Sequence, residues 1–425
     1  MLLSRFFPRS ESRSTMLSIK SALLMGVMCS GALAQLSFTN FESQPYIPAY
    51  EGNDWKSVWT NEQSHSGNHS IKLGEPTLGV EWYKGPRFYH GLPASGNDLI
   101  KVDFWSLGGK FYSDNDQANR YEQTNTWVHR QQYVRTRAAS QNFGIYSTQT
   151  TYIDDLRTSV ATPRQYDDYN REQIGNLGTH VTLNSASRTQ SRLPNAFQAL
   201  NTGTKLRVLM LGDSIARDST ASYWDTLVKA ANPQADIDLV MSVRGATGME
   251  WYAQTENDTS SVNFGKARVQ TWALDYQPDL IVLAGISHGA NSEAYASVID
   301  QIRANSSAEI LVTTGAAGSN GDPRGVADWS YNIDPIGTSF RDRLSRVATL
   351  KNVGFLDTFA SWGNAVSLLP GSTPYDTVLR DPVHMNHYGA AIAGRTFSEF
   401  FAVPEPTTAI LVLACFAAGL RRRAR

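Results

Sequence analysis

Three residues of this sequence have the types and spacing that acyl transfer requires. Ser214 follows an apolar run in "VLMLGDSIARDS", and Asp381 and His384 stand three residues apart in "RDPVHMNHYGAAIAG". A serine hydroxyl attacks an ester only when a base removes its proton, and a carboxylate that holds one imidazole nitrogen leaves the other free for that task. The spacing therefore predicts Ser214 as nucleophile, His384 as base and Asp381 as the acid that orients it.

Each of these residues also has an ordinary structural explanation. Serine is a preferred helix cap, so Ser214 alone could do no more than begin the next helix, and His384 alone could be a surface or core histidine. Together, at strand ends and in the right order, they favour catalysis. We assign structural roles to His288 and His387, and we place Asp218 in the first helical turn, accepting local backbone hydrogen bonds.

The elements that must position these residues follow from the pattern after Leu193. Apolar runs typical of buried strands alternate with helix-like stretches, and the runs are "KLRVLML", "IDLVMSV", "DLIVLAG", "EILVTTG" and "VGFLDT". Such alternation indicates βαβ units, hence a parallel sheet covered on both faces in a three-layer α/β/α sandwich. Ligands of such sheets bind at the carboxyl ends of the strands. We expect Ser214 at one of those ends, in a domain spanning residues 192–401.

Two short blocks resemble a known family. "GDS" after the first strand and "DPVHMN" about 170 residues later are similar to the first and last sequence blocks of the SGNH/GDSL hydrolases, which are esterases built on this type of sheet. The resemblance implies a serine esterase that needs no metal and no cofactor. It also implies an oxyanion hole made by the serine N–H, a glycine after the second strand and an asparagine after the third.

One of the two sequence blocks expected to supply oxyanion donors matches the family pattern, and the other departs from it. "VRGATGMEW" offers Gly245 and Gly248, and the G-x-x-G pattern implies Gly248 as the donor beside the N–H of Ser214. The third block departs from the family, because "GISHGAN" places Ser287 where the asparagine is expected. Asn291 is the alternative, if the block is displaced. We favour Ser287, since the sheet fixes a residue at a strand end whereas the following loop can vary.

The region before the hydrolase-like domain differs from it in composition and in hydrophobic pattern. Residues 35–157 are rich in Trp, Tyr, Asn, Ser and Gly, with short alternating runs between turn-forming clusters, which predicts an all-β sandwich. "FTNFES", "SHSGNHSIKLG" and "YIDDLRTS" resemble the jelly-roll modules of secreted bacterial proteins, many of which bind carbohydrate. Asp154 and Asp155 fit either a turn, which we prefer, or a Ca²⁺ site. The polar residues 158–191 predict a linker, or a wrap over the next domain.

Both ends of the chain read as targeting segments. Residues 1–34, with Met16 as an alternative start, have the charge, apolar run and small-residue site of a signal peptide. Residues 402–425 resemble the PEP-CTERM signal, which implies processing by an exosortase-type enzyme and transient membrane association. Cys29 and Cys415 fall in these segments, so the mature chain would contain no cysteine. We predict an exported protein, extracellular or associated with the cell envelope.

The charge composition of the chain restricts the class of molecule that it binds. The chain has 425 residues, with 38 basic and 39 acidic side chains, so it lacks the basic footprint of a nucleic-acid-binding protein. The sequence therefore predicts an exported serine esterase that acts on acylated carbohydrate or a small ester, most plausibly by deacetylation. Two alternatives stay open: a carbohydrate O-acetyltransferase using the same site, and a non-catalytic glycan-binding surface protein with a decayed hydrolase domain.

Overall fold

The computed structural model describes most of the chain between residues 35 and 402. The described ranges are 35–43, 57–74, 87–92, 98–114, 119–136, 141–147, 149–183, 188–256, 266–284, 291–315, 336, 338–369, 377–381 and 383–402. The predicted signal peptide, Ser287 and the predicted C-terminal signal from residue 403 onward lie outside them. Within these ranges no helix has the length and apolar character to cross a membrane.

The N-terminal part consists of two antiparallel sheets. Its strands are β1 Gln35–Thr39, β2 Ser57–Thr60, β3 Ser70–Leu73, β4 Arg87–Leu92, β5 Leu99–Gly108, β6 Phe111–Asp114, β7 Asn119–Tyr121, β8 Thr124–Arg135, β9 Gln141–Ser147 and β10 Thr151–Val160. One sheet has the order β2-β3-β10-β5-β8 with β1 added on β10, and the other has the order β4-β9-β6-β7. Phe104 of the first sheet and Phe143 of the second belong to one buried core cluster. The alternating runs of the sequence are therefore half-buried strands.

The C-terminal part is a mixed α/β region. Its elements are β11 Arg188–Thr189, α2 Pro194–Thr202, β12 Leu206–Gly212, α3 Ser214–Ala221, α4 Trp224–Ala231, β13 Ile237–Val243, α5 Met249–Tyr252, α6 Arg268–Trp272, β14 Leu280–Leu283, α7 Ser292–Asn305, β15 Glu309–Thr313, α8 Phe340–Leu350, β16 Gly354–Leu356, α9 Thr358–Ser367 and α10 His387–Phe401. A further helix, α1, spans Pro163–Asn176 and precedes them. The sheet order is β11-β16-β15-β14-β12-β13. Strands β12 to β16 are parallel, and β11 runs antiparallel to β16.

Alternate side chains of these strands enter different core clusters. Leu209 and Leu211 of β12 pack with residues of α5, α7 and α8, whereas Val208 and Met210 pack with residues of α2, α4 and α10. Successive strand residues point to opposite faces of a sheet, so this sheet is buried on both sides. Runs such as "KLRVLML" are continuously apolar because both faces of these strands are buried.

Residues 158–191, predicted as a linker or a wrap over the next domain, contain a helix. Residues 163–176 form α1, whose start is fixed by a capping box between Thr162 and Gln165. The helix lies against α4 and α10: Tyr166 Oη donates to the Ser222 carbonyl (2.7 Å), and Arg395 pairs with Asp167 (2.7 Å). The buried face of α1 is largely polar, and for that reason its sequence lacks the apolar periodicity of a packed helix. The alternative of a wrap over the next domain describes this helix better.

The two parts of the chain are joined by a buried ion pair. Arg135, at the end of β8, donates to Asp225 (2.8 Å) and Thr226 (2.7 Å) of α4. The backbone N–H of Arg135 also donates to Tyr223 Oη (3.1 Å). The side chains of Arg135 and Asp225 are 9% and 10% exposed. Since a buried charge is costly without its partner, the N-terminal sheets and the α/β region stabilise one another.

Asp154 and Asp155 bind a neighbouring loop. Asp154 accepts hydrogen bonds from the N–H groups of His65 (2.8 Å) and Ser66 (3.1 Å), and Asp155 contacts the imidazole of His65 (2.7 Å) and the hydroxyl of Ser66 (2.7 Å). Asp155 also has a positive φ of 50°. The turn that we preferred at this position is wrong, because both residues lie inside β10, where the register with β5 shifts between Asp154 and Arg157. In the described ranges no three His, Cys, Asp or Glu side chains are grouped so as to hold a metal ion.

Candidate active site

Ser214 lies where β12 turns into α3. Its neighbour Asp213 is the helix cap, because the Asp213 carboxylate accepts the N–H of Ile215 (2.8 Å). Ser214 is therefore the first helical residue and does not serve as the cap. Gly212 is required at this turn, since a Cβ there would lie 1.7 Å from the carbonyl oxygen of Ala284 after β14. The close approach of the two strand ends places Ser214 at the carboxyl edge of the sheet.

The structure brings the three predicted catalytic residues, Ser214, His384 and Asp381, into one hydrogen-bonded row. His384 Nε2 lies 2.8 Å from Ser214 Oγ, and His384 Nδ1 lies 2.8 Å from Asp381 Oδ2 and 3.0 Å from its Oδ1. The same carboxylate accepts the N–H groups of Val383 and His384, each at 2.8 Å. Partial burial raises the pKa of Asp381, but these N–H groups and the imidazole outweigh it, so the net shift is downward. An ionised Asp381 can thus hold the imidazole with Nε2 facing the hydroxyl.

A short hairpin carries His384. Leu379 and Met385 form a β-bridge, Arg380 N–H donates to the His384 carbonyl (3.0 Å), and Asn386 N–H donates to the Val378 carbonyl (3.0 Å). We call residues 378–381 and 383–386 the histidine hairpin. Its backbone bonds fix His384 independently of any ligand.

Asp218 anchors this hairpin to α3. Its carboxylate accepts hydrogen bonds from Arg380 Nη2 (3.0 Å) and from the N–H of Met385 (3.1 Å), and Arg380 also donates to the Met385 carbonyl (2.6 Å). Asp218 is 1% exposed. Burial raises its pKa, while the charges of Arg380 and His384 act in the opposite direction. Our expectation of local backbone bonds for Asp218 is wrong, because its partners lie 162 and 167 residues further along the chain.

The candidate oxyanion donors have different surroundings. Among the described residues, the N–H groups of Ser214 and Gly248 donate no hydrogen bond, and Gly248 caps α5.

The end of β13 is tied to β12, because Arg244 N–H (2.9 Å) and Tyr252 Oη (2.6 Å) both donate to the Gly212 carbonyl.

Of the two competing donors after β14, the structure describes one. Asn291 caps α7, and its side-chain oxygen accepts the N–H groups of Glu293 (3.0 Å) and Ala294 (3.3 Å). Ser287 lies outside the described ranges. Asn291 thus has a capping function of its own, which is the other role that asparagine favours before a helix.

Sequence reasoning missed the Asp218–Arg380 pair. Nothing in the local pattern links an aspartate inside a helix to an arginine far along the chain. The one available signal is that both residues lie within four positions of a predicted catalytic side chain, Asp218 after Ser214 and Arg380 before Asp381 and His384.

Comparison with known proteins gives only distant likenesses. No family model and no curated protein matches the sequence. Among solved structures, a family two carbohydrate esterase from Cellvibrio japonicus is 12% identical, with 82% of this chain and 96% of that chain covered and a TM-score of 0.27. The periplasmic domain of a lipopolysaccharide acetyltransferase from Salmonella ser. Paratyphi A is 13% identical over 56% of this chain and 95% of that chain, with a TM-score of 0.31.

A third likeness is equally distant and covers a smaller share of the chain. The CBM22-1 xylan-binding domain from Paenibacillus barcinonensis Xyn10C is 18% identical, with 30% of this chain and 96% of that chain covered and a TM-score of 0.23. At such scores none of these structures bears on the chemistry of this chain. That chemistry has to be inferred from its own side chains.

Proposed function

We propose that this protein is an exported serine esterase that removes acyl groups, above all acetyl groups, from carbohydrate. The observation that supports it is the row Ser214 Oγ, His384 Nε2 and Asp381, with both hydrogen bonds at 2.8 Å. A hydroxyl at that distance from an oriented imidazole is the arrangement that general-base activation of serine requires. The leader-like residues 1–34 support export. The mixed α/β region with a largely parallel sheet fits the three-layer α/β/α architecture of SGNH hydrolases.

The reaction would proceed in two balanced steps. Ser214 Oγ attacks the acyl carbon while His384 Nε2 takes its proton, and the imidazolium then gives that proton to the departing sugar oxygen as the ester C–O bond breaks. Water next attacks the acyl-serine, His384 takes and returns a proton in the same way, and the carboxylic acid leaves. The N–H groups of Ser214 and Gly248, with the Ser287 hydroxyl as third donor, would hold the oxyanion of each tetrahedral intermediate.

The nucleophile and base can be tested by single substitutions. Ser214→Ala and His384→Ala should each lower kcat on p-nitrophenyl acetate by about 10⁴-fold or more, because the members of such a row act as a unit. Far-ultraviolet circular dichroism should show the fold retained. His180→Ala, which alters an exposed histidine outside the row, serves as the control and should keep the parent rate. Hydrolysis by Ser214→Ala at the parent rate would overturn the assignment.

A second assay separates the three functional classes. Incubation with acetylated xylan and acetylated mannan, followed by measurement of free acetate, should show release that depends on Ser214. Transfer of acetyl to an added sugar acceptor in preference to water would make the protein an acetyltransferase. Binding of these polymers with neither release nor transfer would identify a glycan-binding protein with an inactive hydrolase domain.

A further inference from the structure

A cleft separate from the serine row lies between the N-terminal sheets and the α/β region. It has a volume of about 740 Å³, and its walls come from β8, from α1 and from the first turn of α10. The lining residues that matter here are Arg130, Gln131, Tyr169, Glu172, His387 and Tyr388. A cleft of this size between two folded parts is a common location for a ligand site.

Arg130 is a half-buried cation without a counter-ion in the described part of the chain. Its Nε donates to Ser106 Oγ (3.1 Å), and its guanidinium carbon lies 5.1 Å from the centre of the Tyr121 ring. Neither contact engages the two terminal nitrogens of the guanidinium fork. Burial lowers the pKa of Arg130, and Tyr121 and Tyr388 offset only part of this. A partly desolvated cation whose terminal nitrogens have no partner among the described residues can pair with an anionic group that enters the cleft.

Aromatic rings form the floor beside Arg130. The rings of Tyr121 and His387 stack with centroids 6.2 Å apart and an interplanar angle of 24°, and His387 lies 3.9 Å from Tyr388. Burial and the nearby Arg130 charge lower the pKa of His387 to about 4, so at neutral pH this floor is uncharged. Gln131 and Gln173 add amide donors and acceptors to the walls. Tyr121 also stacks on Phe111 (4.6 Å between ring centroids), so the floor is a stacked aromatic cluster. Its apolar surface, with the amides beside it, can hold a ligand that has one apolar face and many hydroxyls.

The acidic groups of the cleft lie at its rim. Glu122 pairs with Lys110 (3.2 Å), and Glu172 projects from α1 as an exposed side chain. His129 pairs with Asp103 (3.2 Å) and is 48% exposed. The half-buried charge inside the cleft is therefore the positive charge of Arg130. The carboxylates of Glu122 and Glu172 are in contact with water and screen that charge only weakly.

The cleft adjoins the histidine hairpin. Its lining includes Asn386, His387 and Tyr388, which follow His384 by two to four residues. Consecutive Cα atoms are about 3.8 Å apart, so His387 lies at most about 11 Å from His384 along the chain. Asn386 is fixed here, because it donates to the Thr377 carbonyl (2.7 Å) and accepts the N–H groups of Tyr388 and Gly389.

We propose that this cleft binds a uronic acid residue of a polysaccharide, with the sugar ring on the aromatic floor and its carboxylate paired to Arg130. The acyl group that Ser214 attacks would then lie on a nearby sugar of the same chain. This second statement rests on the proposed esterase function, whereas binding in the cleft does not. The enzyme would therefore prefer acylated glycans that carry carboxylates over neutral acylated glycans.

Binding can be measured without catalysis. The full chain carrying Ser214→Ala is titrated calorimetrically with unacetylated oligomers of galacturonate, of mannuronate and of glucuronate-containing xylan, and with the same oligomers after reduction of their carboxyls to alcohols. At least one acidic oligomer should bind at least about tenfold more tightly than its reduced form. Arg130→Gln should remove that preference. Arg164→Gln, which alters an exposed arginine of α1, is the matched control and should retain it.

The outcomes distinguish this proposal from the esterase proposal. Equal binding of acidic and reduced oligomers, or no binding of any acidic oligomer, overturns the uronic acid site, and this comparison does not depend on how well Arg130→Gln folds. An acidic preference that survives in a folded Arg130→Gln protein also overturns it. If instead the oligomers bind as expected but p-nitrophenyl acetate is hydrolysed equally with and without Ser214, the cleft stands and the esterase assignment fails.

Discussion

Asp381 lies where its carboxylate stays ionised and contacts the imidazole of His384. Three donors converge on its carboxylate, namely the imidazole of His384 and the N–H groups of Val383 and His384, and the net effect is a lowered pKa. The carboxylate is 43% exposed, so it orients the ring more than it transmits charge through a dry interior. Asp381→Asn should therefore reduce kcat on an aryl acetate by less than Ser214→Ala does. Side-by-side kinetics of the two variants decide this, and an equal loss would give Asp381 a larger role.

The pH profile should have a single acid limb. A base accepts a proton only when it is neutral, and histidine side chains in general change charge between about pH 5 and 8. Asp381 stays ionised throughout this range, because its pKa is lowered. We therefore expect kcat/KM on an aryl acetate to fall as pH decreases through that window, with a slope of one proton. A profile that is flat down to pH 5 would exclude an imidazole base.

The third oxyanion donor can be identified by a pair of substitutions. Removing one side-chain donor from an oxyanion hole costs about 10² to 10³ in kcat, and the shorter serine should contribute at least about tenfold. Ser287→Ala should thus lower kcat with little change in KM. Asn291→Ala should keep kcat but lower the melting temperature, because it removes a cap worth about 1 kcal/mol. The reverse pattern would assign the donor to Asn291.

At the scale of elements, α3 and the histidine hairpin behave as one unit. The Asp218–Arg380 pair and the Asp218 bond to Met385 join the helix that begins with Ser214 to the hairpin that carries His384. Asp218 does not contact the hydroxyl or the imidazole in the described geometry. It is therefore a positioning residue, and its loss should change the rate more than substrate binding.

Asp218→Asn tests this coupling. The amide nearly keeps the shape but removes the charge, and breaking a buried ion pair costs about 3–5 kcal/mol of stability. We expect a lower melting temperature and a reduced kcat with KM little changed, and Arg380→Lys should retain more activity than Arg380→Ala. Asp168→Asn is the control, because its pair with Arg164 is exposed and such pairs contribute about 1 kcal/mol or less. Loss of stability with kcat intact would reduce Asp218 to a purely structural role.

The elements differ in how far the sequence could predict them. The runs "DLIVLAG" and "EILVTTG" correspond to β14 and β15, since strands buried on both faces must be apolar along their length. Helix α1 could not be found in this way, because Asp167 and Asn170 on its buried side are satisfied by Arg395 and by the Ala391 carbonyl. A signal did exist in "TPRQ", where a capping box surrounds a proline at the first helical position. The Asp218 pair had no comparable signal, because only the folded chain brings its partners together.

The whole molecule depends on contacts between its two parts. Tyr133 of β8 donates to the Gln165 carbonyl of α1 (3.2 Å), and Arg135 of β8 pairs with Asp225 of α4. These contacts are polar and buried, so separating them leaves unpaired groups on both sides. The N-terminal sheets therefore contribute to the stability of the α/β region.

Two truncated chains and one substitution measure that contribution. A chain of residues 161–402 should remain folded, with a lower melting temperature than the full protein, because Asp225 loses Arg135. A chain of residues 188–402 also lacks α1, which exposes parts of α4 and α10, and we expect it to be insoluble or to melt lower still. Arg135→Ala in the full chain should cost about 3–5 kcal/mol of unfolding free energy. Equal melting temperatures for both truncated chains would show that α1 adds nothing.

Helix α10 also determines how far His384 lies from the end of the described chain. It begins three residues after His384 and continues for 15 residues to Phe401, a length of about 22 Å at 1.5 Å per residue. Ala393, Phe397 and Phe400 are buried along it, so packing holds the helix rigid and keeps Phe401 about that distance from the first turn, beside the histidine hairpin.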